Sequence, residues 1–324
     1  MIPTMDRPKL LRQLLQALLQ QTCSPSEVVV VDDSKRLNHT ATMLASLTSE
    51  FEARECKLKY AKVPHRGADA ARNLGVQLCT GQVVLFLDDD VVLDNDLLRN
   101  LMSFLDEHPE ALGVGAAIHE QAEKAGTGFG SLGIATRKAL MLNYEEKDKY
   151  AVRRSGKGIF PKPLTKVIRA QWLGGCCCCF RKHVFDNLQF DTNLTGYDVC
   201  GDFEFSHRLY RMYPGSLYVI PQAKVIHTGS YYSGLRDPAQ KLEIYRQLIF
   251  QSYVFFKLVY RSSLLNLVAF LWALNGNLLR TIAEQLLMKR TPLRLMHQIG
   301  AYVLLLRNLN AILVGDLRFL DQTD

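Results

Sequence analysis

The stretch VVLFLDDDVVL, residues 83–93, places three consecutive aspartates directly after five apolar residues. A short apolar run of this kind predicts a strand that is buried on both faces. Three charged carboxylates cannot continue such a strand into a core, so the strand must end where they begin. The stretch therefore predicts a sheet with an acidic site at the carboxyl end of a buried strand.

Strand-like and helix-like segments alternate over residues 1–118. The leucines of RPKLLRQLLQALLQQ recur at the helical period, and the run VVVV that follows ends at Asp32 and Asp33. This alternation is typical of an α/β fold with a doubly wound sheet, in which ligands bind beyond the carboxyl ends of the strands. Two acidic strand ends therefore predict one binding edge. Further helices are expected over 39–52, 65–81 and from a cap at Asp94 to about 105, and further strands over 57–63 and 111–118.

The rest of the chain changes character twice. Residues 119–168 are rich in glycine and mixed charge, which predicts a long loop or insertion. A strand at CCCCF, a helix beginning at GDFEF and a hairpin over SLYVIPQAKVIH are expected next. From about residue 239 the pattern is helical, with 11 Lys/Arg against 6 Asp/Glu over residues 230–324. We therefore expect one domain over 1–230 and a helical C-terminal region over 231–324.

The overall charge limits the classes of partner. A net charge of +7 favours anionic ligands such as nucleotide phosphates or acidic lipid head groups. The sequence contains no long Lys/Arg run of the kind that indicates nucleic-acid binding. The basic, partly apolar C-terminal helices either pack on the core or rest on a membrane surface, since polar residues interrupt each apolar stretch. The N-terminal residues lack an apolar leader. We expect a cytoplasmic protein, peripheral on the cytoplasmic face of a membrane if the helices contact lipid.

Four consecutive cysteines occupy residues 176–179. Neighbouring residues on a strand point to opposite faces, so the run cannot form a local disulfide framework. Buried, reduced thiols are the expected state. A zinc site that uses Cys176 and Cys178 is the alternative, although no second CxxC or HxxxH accompanies them.

The aspartate run has the chemistry of a site for a hard cation. Carboxylate oxygens suit Mg²⁺ or Mn²⁺, and both ions bind diphosphate oxygens. On an extended backbone Asp88 and Asp90 face one way and Asp89 the other, so the outer pair suits one metal ion. The alternative is a capping cluster for the helix that follows.

Several segments together resemble the inverting family 2 glycosyltransferases of the GT-A fold. They are IPTMDRPKLLRQLLQALLQQT with EVVVVDDS, HRGADAARNLGVQLCTGQVVLFLDDDVVL, WLGGCCCCFRKHVF and GDFEF, and the resemblance runs from residue 2 to about 228. It implies a nucleotide-sugar-binding half over 1–118 and an acceptor half over 119–230. It also implies a divalent cation, Mg²⁺ or Mn²⁺, a nucleoside-diphosphate sugar as donor, and a hydroxyl of a glycan or lipid-linked acceptor.

The resemblance assigns residues to the donor. Pro3 and Thr4 match the turn that touches the base, and Asp33, with Asp32 beside it, matches an acid that binds the base or ribose. Arg72 matches a basic residue near the nucleotide.

It also assigns residues to the metal. Asp88 and Asp90 match the DXD motif, whose second acid holds the metal that bridges the diphosphate, while Asp89 faces away or supports the ribose. His227, in KVIHTG, matches a histidine that completes the metal site. A lone histidine is otherwise more often structural.

The general base is expected in an acidic motif at the start of a helix. Asp202 matches that base, Glu204 is the reserve candidate and Asp198 a weaker one. Gly201 stands where the family commonly has Glu, which is a departure. The alternative is that Asp202 only stabilises a helix N-terminus.

Three further residues precede this motif in the sequence. Gly174 and Gly175 would let the backbone approach a sugar closely. Trp172 would either stack on a sugar face or pack in the core.

Two alternatives to glycosyl transfer stay open. The expected first strand has only Met1 and Ile2 before Pro3, so it is cut short or begins upstream. The short strand and the glycine at position 201 both favour the first alternative, a non-catalytic, transferase-like binding protein. The other alternative is a nucleotidyltransferase of sugar-nucleotide synthesis. That class needs a Gly-rich, basic loop after the first strand, and PTMDRP is not such a loop.

Overall fold

The expected alternation of strands and helices is confirmed in a computed structural model, which describes residues 1–34, 39–64, 66–120, 131–195, 200–228, 241–288 and 293–322. The chain forms two compact units, residues 1–125 with 164–233 and residues 126–163 with 234–324. Residues 126–163, which we expected in the acceptor half, belong to the second unit.

Both units contain strands and helices. The strands are β1 (Ile2–Thr4), β2 (Glu27–Asp32), β3 (Lys57–Lys62), β4 (Val83–Leu87), β5 (Val91–Leu93), β6 (Gly113–Glu120), β7 (Tyr144–Glu146), β8 (Ala151–Val152), β9 (Gly158–Pro161), β10 (Ile168–Arg169), β11 (Cys177–Arg181) and β12 (Leu217–His227). The helices are α1 (Pro8–Leu19), α2 (His39–Ala45), α3 (Thr48–Glu52), α4 (Ala68–Leu78), α5 (Leu97–Glu107), α6 (Ser131–Ala139), α7 (Gly201–Met212), α8 (Lys241–Val254), α9 (Leu264–Met288), α10 (Leu293–Arg307) and α11 (Leu309–Val314).

The first unit is built on a mixed sheet, as expected. One part pairs in parallel in the order β1-β2-β3, and the other has the order β10-β12-β6-β11-β4, with β5 on β12. Met1 joins the two parts: its nitrogen donates to the Leu85 carbonyl at 2.7 Å, and its carbonyl accepts from the Leu87 N–H at 3.1 Å. The first strand therefore forms, although it is only three residues long.

Apolar periodicity explains how the helices pack on this sheet. On α1, Leu11, Leu14, Leu15 and Leu18 form one buried stripe, which joins Val28 and other residues of the sheet in a single core cluster. Apolar residues at the helical period bury one face and leave the opposite face polar. The buried leucine stripe thus packs α1 onto the sheet.

Three predicted boundaries were wrong. The region 39–52 forms two helices, α2 and α3, rather than one. Helix α5 begins at Leu97 rather than directly after Asp94, because Asp94 closes a turn by accepting from the Leu97 N–H. The expected hairpin is one long strand, β12, whose register shifts between Ile220 and Lys224. Pro221 lies in that bulge, where a residue without an N–H does not break the ladder.

The segment 119–168 is more ordered than a loop over the residues that the structure describes. It contains α6 and a small sheet of order β7-β9-β8. Arg153 donates to the carbonyls of Arg137, Lys138 and Leu142, so it closes the end of the helix. Residues 121–130 of the expected insertion lie outside the described residues.

The helical C-terminal region is confirmed by α8 to α11 in the second unit. Many of its apolar side chains remain exposed, including Leu264 at 72%, Leu286 at 77% and Leu306 at 73%. Within the described ranges, no helix has the length and hydropathy needed to cross a membrane.

Candidate active site

The acidic residues meet at one edge of the first unit's sheet. Strands β1, β2 and β4 end at Thr4, Asp32 and Leu87, and β4 is followed directly by Asp88. Parallel strands bring their carboxyl ends to the same edge. The three aspartates therefore lie beside the end of β1, as the sheet topology requires.

Asp88, Asp90 and His227 form a cluster with the spacing of metal ligands. One ligand atom from each lies within 4.8 Å of the others, and among the described residues this is the group of three that could hold a metal ion. His227 reaches the cluster because β12 pairs with β5, which sets His227 opposite Val91. The register of one strand pair thus joins residues that are far apart in sequence.

The environment keeps Asp90 ionised. Burial alone would raise its pKa, but the hydrogen bond and charge of His227 and the charge of Arg7 lower the pKa below its ordinary value. The His227 Nε2 atom lies 3.2 Å from Asp90 Oδ1. Thr228 fixes the Asp90 backbone, since its N–H and hydroxyl both donate to the Asp90 carbonyl, at 3.0 and 2.7 Å. A carboxylate held this way is ready to bind a cation.

Asp89 lies in the turn between β4 and β5 and binds Thr4 and Arg7 rather than joining the cluster of Asp88, Asp90 and His227. It is 5% exposed; its Oδ2 accepts from the Thr4 hydroxyl at 2.7 Å, and its Oδ1 accepts from Arg7 Nη1 at 3.0 Å. Burial raises the pKa of Asp89 to about 6, against the lowering effects of Arg7 and Thr4. Asp89 therefore fastens the end of β1 to the aspartate run.

Arg7 is a residue of this site that the sequence analysis missed. Its Nη1 atom also lies 3.3 Å from Asp90 Oδ2, so one guanidinium bridges two of the three aspartates. The residue precedes α1, where it looks like an ordinary helix-start residue before Pro8. No local pattern in the sequence marks Arg7 as a site residue.

Arg72 lies on the other side of the aspartate run. Its Nη1 atom binds Asp69 at 2.8 Å, and its Nη2 atom lies 3.7 Å from Asp88 Oδ1. The guanidinium also packs over the Phe190 ring, 5.5 Å from its centre. The predicted basic residue therefore lies beside the metal cluster and is held by α4.

Asp33 and Asp32 are largely engaged by the protein itself. Asp33 accepts from the backbone N–H groups of Arg66 and Gly67, both at 2.9 Å, immediately before α4. Asp32 accepts from the Ser34 N–H and from the Tyr60 hydroxyl, at 2.8 and 3.1 Å. Both are buried. Their expected contacts with a base or ribose stay a prediction.

Asp202 lies at the start of α7, half-buried and close to Arg72. Its Oδ2 accepts from the Gly175 N–H at 2.8 Å and its Oδ1 from the Phe203 N–H at 2.7 Å. A Cβ at Gly175 would come within 2.9 Å of the Asp202 Cβ and 3.4 Å of Arg72 Nη2. Gly175 is therefore needed so that the backbone can approach both side chains, while Gly174 lies next to it and half-buried.

A small pocket adjoins these groups. It is lined by Arg72, Gly175, Cys178 and Asp202 together with aromatic residues that include Phe86 and Phe190. Among the residues that line this pocket, Asp202 is the one whose side chain can accept a proton at neutral pH. Pro3, which was expected in a turn that touches the base, lies within β1 and is half-buried.

Glu204 and Trp172 are both built into the core. Glu204 is fully buried, and Arg208 binds both of its oxygens, at 2.8 and 2.9 Å. Trp172 is buried against Phe203, with 5.3 Å between ring centres, which favours the core alternative over a sugar platform. Gly201 is the first residue of α7 and is buried, and Asp198 lies outside the described residues.

Cys177, Cys178 and Cys179 lie in β11 and Cys176 directly precedes it, and all four thiols are free and buried. Burial raises their pKa values, that of Cys179 to about 12, so they are neutral. No cysteine belongs to a group of metal ligands in the ranges that the structure describes. The expectation of reduced, buried thiols is met there, and the zinc alternative has no support.

The engagement of Glu204 with Arg208 leads to a stability prediction. Glu204→Gln should lower the free energy of unfolding by about 2 kcal/mol, because it leaves the guanidinium without a charged partner. Urea unfolding measures this change. Glu107→Gln, at an exposed position of α5, is the control and should change stability by less than about 0.5 kcal/mol. Equal stability of both variants would contradict a structural role for Glu204.

Two known proteins show what the chain is similar to in sequence. The amylovoran biosynthesis glycosyltransferase AmsE of Erwinia amylovora is 32% identical over 121 residues, 36% of this chain and 42% of that protein. The glucosyl-dolichyl phosphate glucuronosyltransferase of Haloferax volcanii is 25% identical over 115 residues, 36% of this chain and 35% of that protein. The matched segment thus spans less than half the length of these relatives.

Solved structures agree on the fold. The S. aureus TarS 1–349 structure with UDP-GlcNAc aligns with 99% of this chain and 82% of its own, with a TM-score of 0.57 and 16% identity. The Pyrobaculum calidifontis mannosyltransferase PcManGT with GDP-Man and Mn²⁺ aligns with 100% of this chain and 86% of its own, with a TM-score of 0.53 and 16% identity. These likenesses confirm the GT-A fold.

The match to a protein family covers more than half of the chain. Residues 1–187 fit the family described as Glycosyl transferase family 2. That range includes β1, the aspartate run and Arg72. The chain therefore belongs to glycosyltransferase family 2.

Proposed function

We propose that the chain transfers a sugar from a nucleoside-diphosphate sugar to an acceptor hydroxyl, with inversion at the anomeric carbon. The observation that carries the proposal is that the cluster of Asp88, Asp90 and His227 lies at one strand edge, with Arg72 between it and Asp202. A leaving diphosphate needs a cation, and an attacking hydroxyl needs a base. The cluster would hold the cation and Asp202 would supply the base, and both lie in the first unit, which supports the proposal.

The donor set fits a divalent cation. Asp90 is ionised, Asp88 is partly exposed, and His227 adds a neutral nitrogen, so Mg²⁺ or Mn²⁺ would keep open positions for diphosphate oxygens. When bound, the cation would neutralise charge that develops on the leaving diphosphate. The Mn²⁺ in the PcManGT structure supports this assignment by analogy of fold.

Arg72 would assist the leaving group from the side of Asp88. Its Nη2 atom is 3.7 Å from Asp88 Oδ1, whereas Nη1 is fixed by Asp69 at 2.8 Å. The guanidinium therefore has one edge fixed and one edge turned toward the metal cluster. Fixed donors of this kind stabilise developing negative charge without reorganisation.

Asp202 would act as the base. Its Oδ2 accepts the Gly175 N–H and its Oδ1 the Phe203 N–H, which fixes the orientation of the carboxylate. The acceptor oxygen would bond to the anomeric carbon, the carbon–diphosphate bond would break, and the hydroxyl proton would pass to Asp202. The anchored geometry also supports Asp202 over Glu204, whose oxygens are bound to Arg208.

A glycan or lipid-linked acceptor is the proposed substrate class. The printed names of two relatives, one in amylovoran biosynthesis and one acting on glucosyl-dolichyl phosphate, support it. Family membership argues against the nucleotidyltransferase alternative. A non-catalytic protein stays the second candidate, because Gly201 replaces an acid next to Asp202.

The base assignment has a direct test. Asp202→Asn should lower sugar transfer by at least about 100-fold, because the amide cannot take the hydroxyl proton, while nucleoside-diphosphate binding by calorimetry stays within about 3-fold. Glu204→Gln is the comparison and should keep transfer per folded molecule. Unchanged turnover in Asp202→Asn would refute the base, and no transfer by the wild-type chain with any donor would favour the binding protein.

We also propose that the C-terminal helices rest on an acidic lipid surface. Exposed apolar residues recur along one face of α9, at Leu264, Val268, Leu271 and Leu279. Between residues 255 and 310 the chain has seven basic residues, Lys257, Arg261, Arg280, Lys289, Arg290, Arg294 and Arg307, against the acid Glu284. An apolar stripe with basic neighbours matches the interface of anionic membranes.

The lipid proposal predicts flotation with acidic vesicles. The chain should float with phosphatidylglycerol vesicles and float less at high salt or with phosphatidylcholine vesicles, since basic residues supply part of the affinity. Val268→Asp should reduce flotation by at least about 3-fold. Val92→Asp is a matched control, because both valines are about half exposed, 55% and 51%. Equal flotation of both variants, or none by the wild type, would contradict the proposal.

A further inference from the structure

Two arginine side chains lie beside the aspartate run, in addition to the groups that would bind a metal. Arg7 lies within 3.0 Å of Asp89 and 3.3 Å of Asp90, and Arg72 lies within 3.7 Å of Asp88. Three carboxylates are thus faced by two guanidinium groups. Arg72 also pairs with Asp69 at 2.8 Å, so these four carboxylates and two guanidinium groups sum to a local charge of about −2 when His227 is neutral.

Arg7 is held firmly in this position. Its side chain is only 9% exposed, and the Asp89 carboxylate that it binds is anchored by Thr4 at 2.7 Å. A desolvated charge is poorly screened by water, so it acts strongly on its neighbours. Any cation that binds Asp90 Oδ1 must therefore lie near the positive charge that binds Asp90 Oδ2.

We propose that Arg7 is a resident counter-charge of the metal site, which keeps Asp89 out of coordination and weakens the affinity of the nucleotide-free site for a divalent cation. The inference rests on the proposed function, because it takes Asp88, Asp90 and His227 as the metal ligands. A divalent cation at Asp90 would be repelled by the Arg7 guanidinium, which lies 3.3 Å from Asp90 Oδ2. A nucleoside diphosphate adds negative charge that offsets this repulsion, so the nucleotide should strengthen cation binding.

Two effects of removing Arg7 have opposite signs. The loss of its positive charge should strengthen cation binding, and the loss of its contact with Asp90 Oδ2 should loosen one ligand. Asp90 keeps two other restraints, His227 at 3.2 Å and Thr228 on its backbone carbonyl. The repulsion between a guanidinium and a divalent cation a few ångströms apart is the larger effect at a buried site. We therefore expect net tighter binding.

The test is a titration with Mn²⁺, with and without UDP or GDP, under the same buffer conditions for every variant. Without nucleotide, Arg7→Gln should bind Mn²⁺ at least about 10-fold more tightly than the wild type. Arg7→Lys keeps the charge and should stay within about 3-fold of the wild type. Arg12→Gln removes the same charge from an exposed position of α1 and is the matched control.

Charge and positioning are separated by the Asp89 variants. Asp89→Asn should weaken Mn²⁺ binding without nucleotide, and the double variant Arg7→Gln/Asp89→Asn, which restores the wild-type local charge, should return near the wild-type affinity. Thermal unfolding establishes that each variant is folded. Arg7→Gln should also reduce the factor by which UDP or GDP strengthens Mn²⁺ binding.

The outcomes distinguish this inference from the proposed function. If Arg7→Gln binds Mn²⁺ more weakly than the wild type, or if Arg7→Lys tightens binding as Arg7→Gln does, the counter-charge is refuted while the metal site stands. If the folded wild type binds no Mn²⁺ even with UDP or GDP, the metal part of the proposed function fails as well.

Discussion

Three adjacent carboxylates remain tolerable at the end of a buried strand because two guanidinium groups and one imidazole reach them from three other elements. Arg7 comes from the turn before α1, Arg72 from α4 and His227 from the end of β12. Uncompensated, charges at such depth would be costly to bury. These contacts therefore form only when the sheet, the turn before α1, helix α4 and the end of β12 are correctly positioned relative to one another.

The second acidic strand end supports the first. Asp33 accepts the backbone N–H groups that precede α4, and α4 carries both Arg72 and its partner Asp69. An anionic residue at a helix N-terminus satisfies donors that have no partner within the helix. The direct contribution of Asp33 is thus to hold α4, and through it the guanidinium that faces Asp88.

Local patterns in the sequence predicted much of this arrangement. The leucine period of α1, the apolar runs of β2 and β4 and the acids at their ends indicated the sheet and its binding edge, since each is read from neighbouring residues. Asp89 was expected to face away from the metal cluster, and its carboxylate binds Thr4 and Arg7 instead. The resemblance to the family extended the prediction to His227 and Asp202, which lie far away in sequence.

Contacts across long separations could not be predicted in the same way. Arg7 and Asp89 are 82 residues apart, and nothing in RPKLL distinguishes a site residue from a helix start. The sequence around Pro221 was interpreted as a hairpin turn, whereas it forms a bulge within one strand. Arg153 holds the end of α6 through hydrogen bonds to backbone carbonyls, which no apolar periodicity in the sequence could indicate. Glu204 matched an acidic motif, but its burial against Arg208 depends on tertiary packing.

The most direct test of the central claim is nucleotide binding with and without a divalent cation. Mn²⁺ should strengthen UDP or GDP binding to the wild-type chain by at least about 10-fold, and Asp90→Ala should abolish that gain, whereas the exposed control Asp106→Ala should keep it. Calorimetry measures all three. Equally tight nucleotide binding in the presence and absence of Mn²⁺, or a full Mn²⁺ effect in Asp90→Ala, would contradict a metal site at the end of β4.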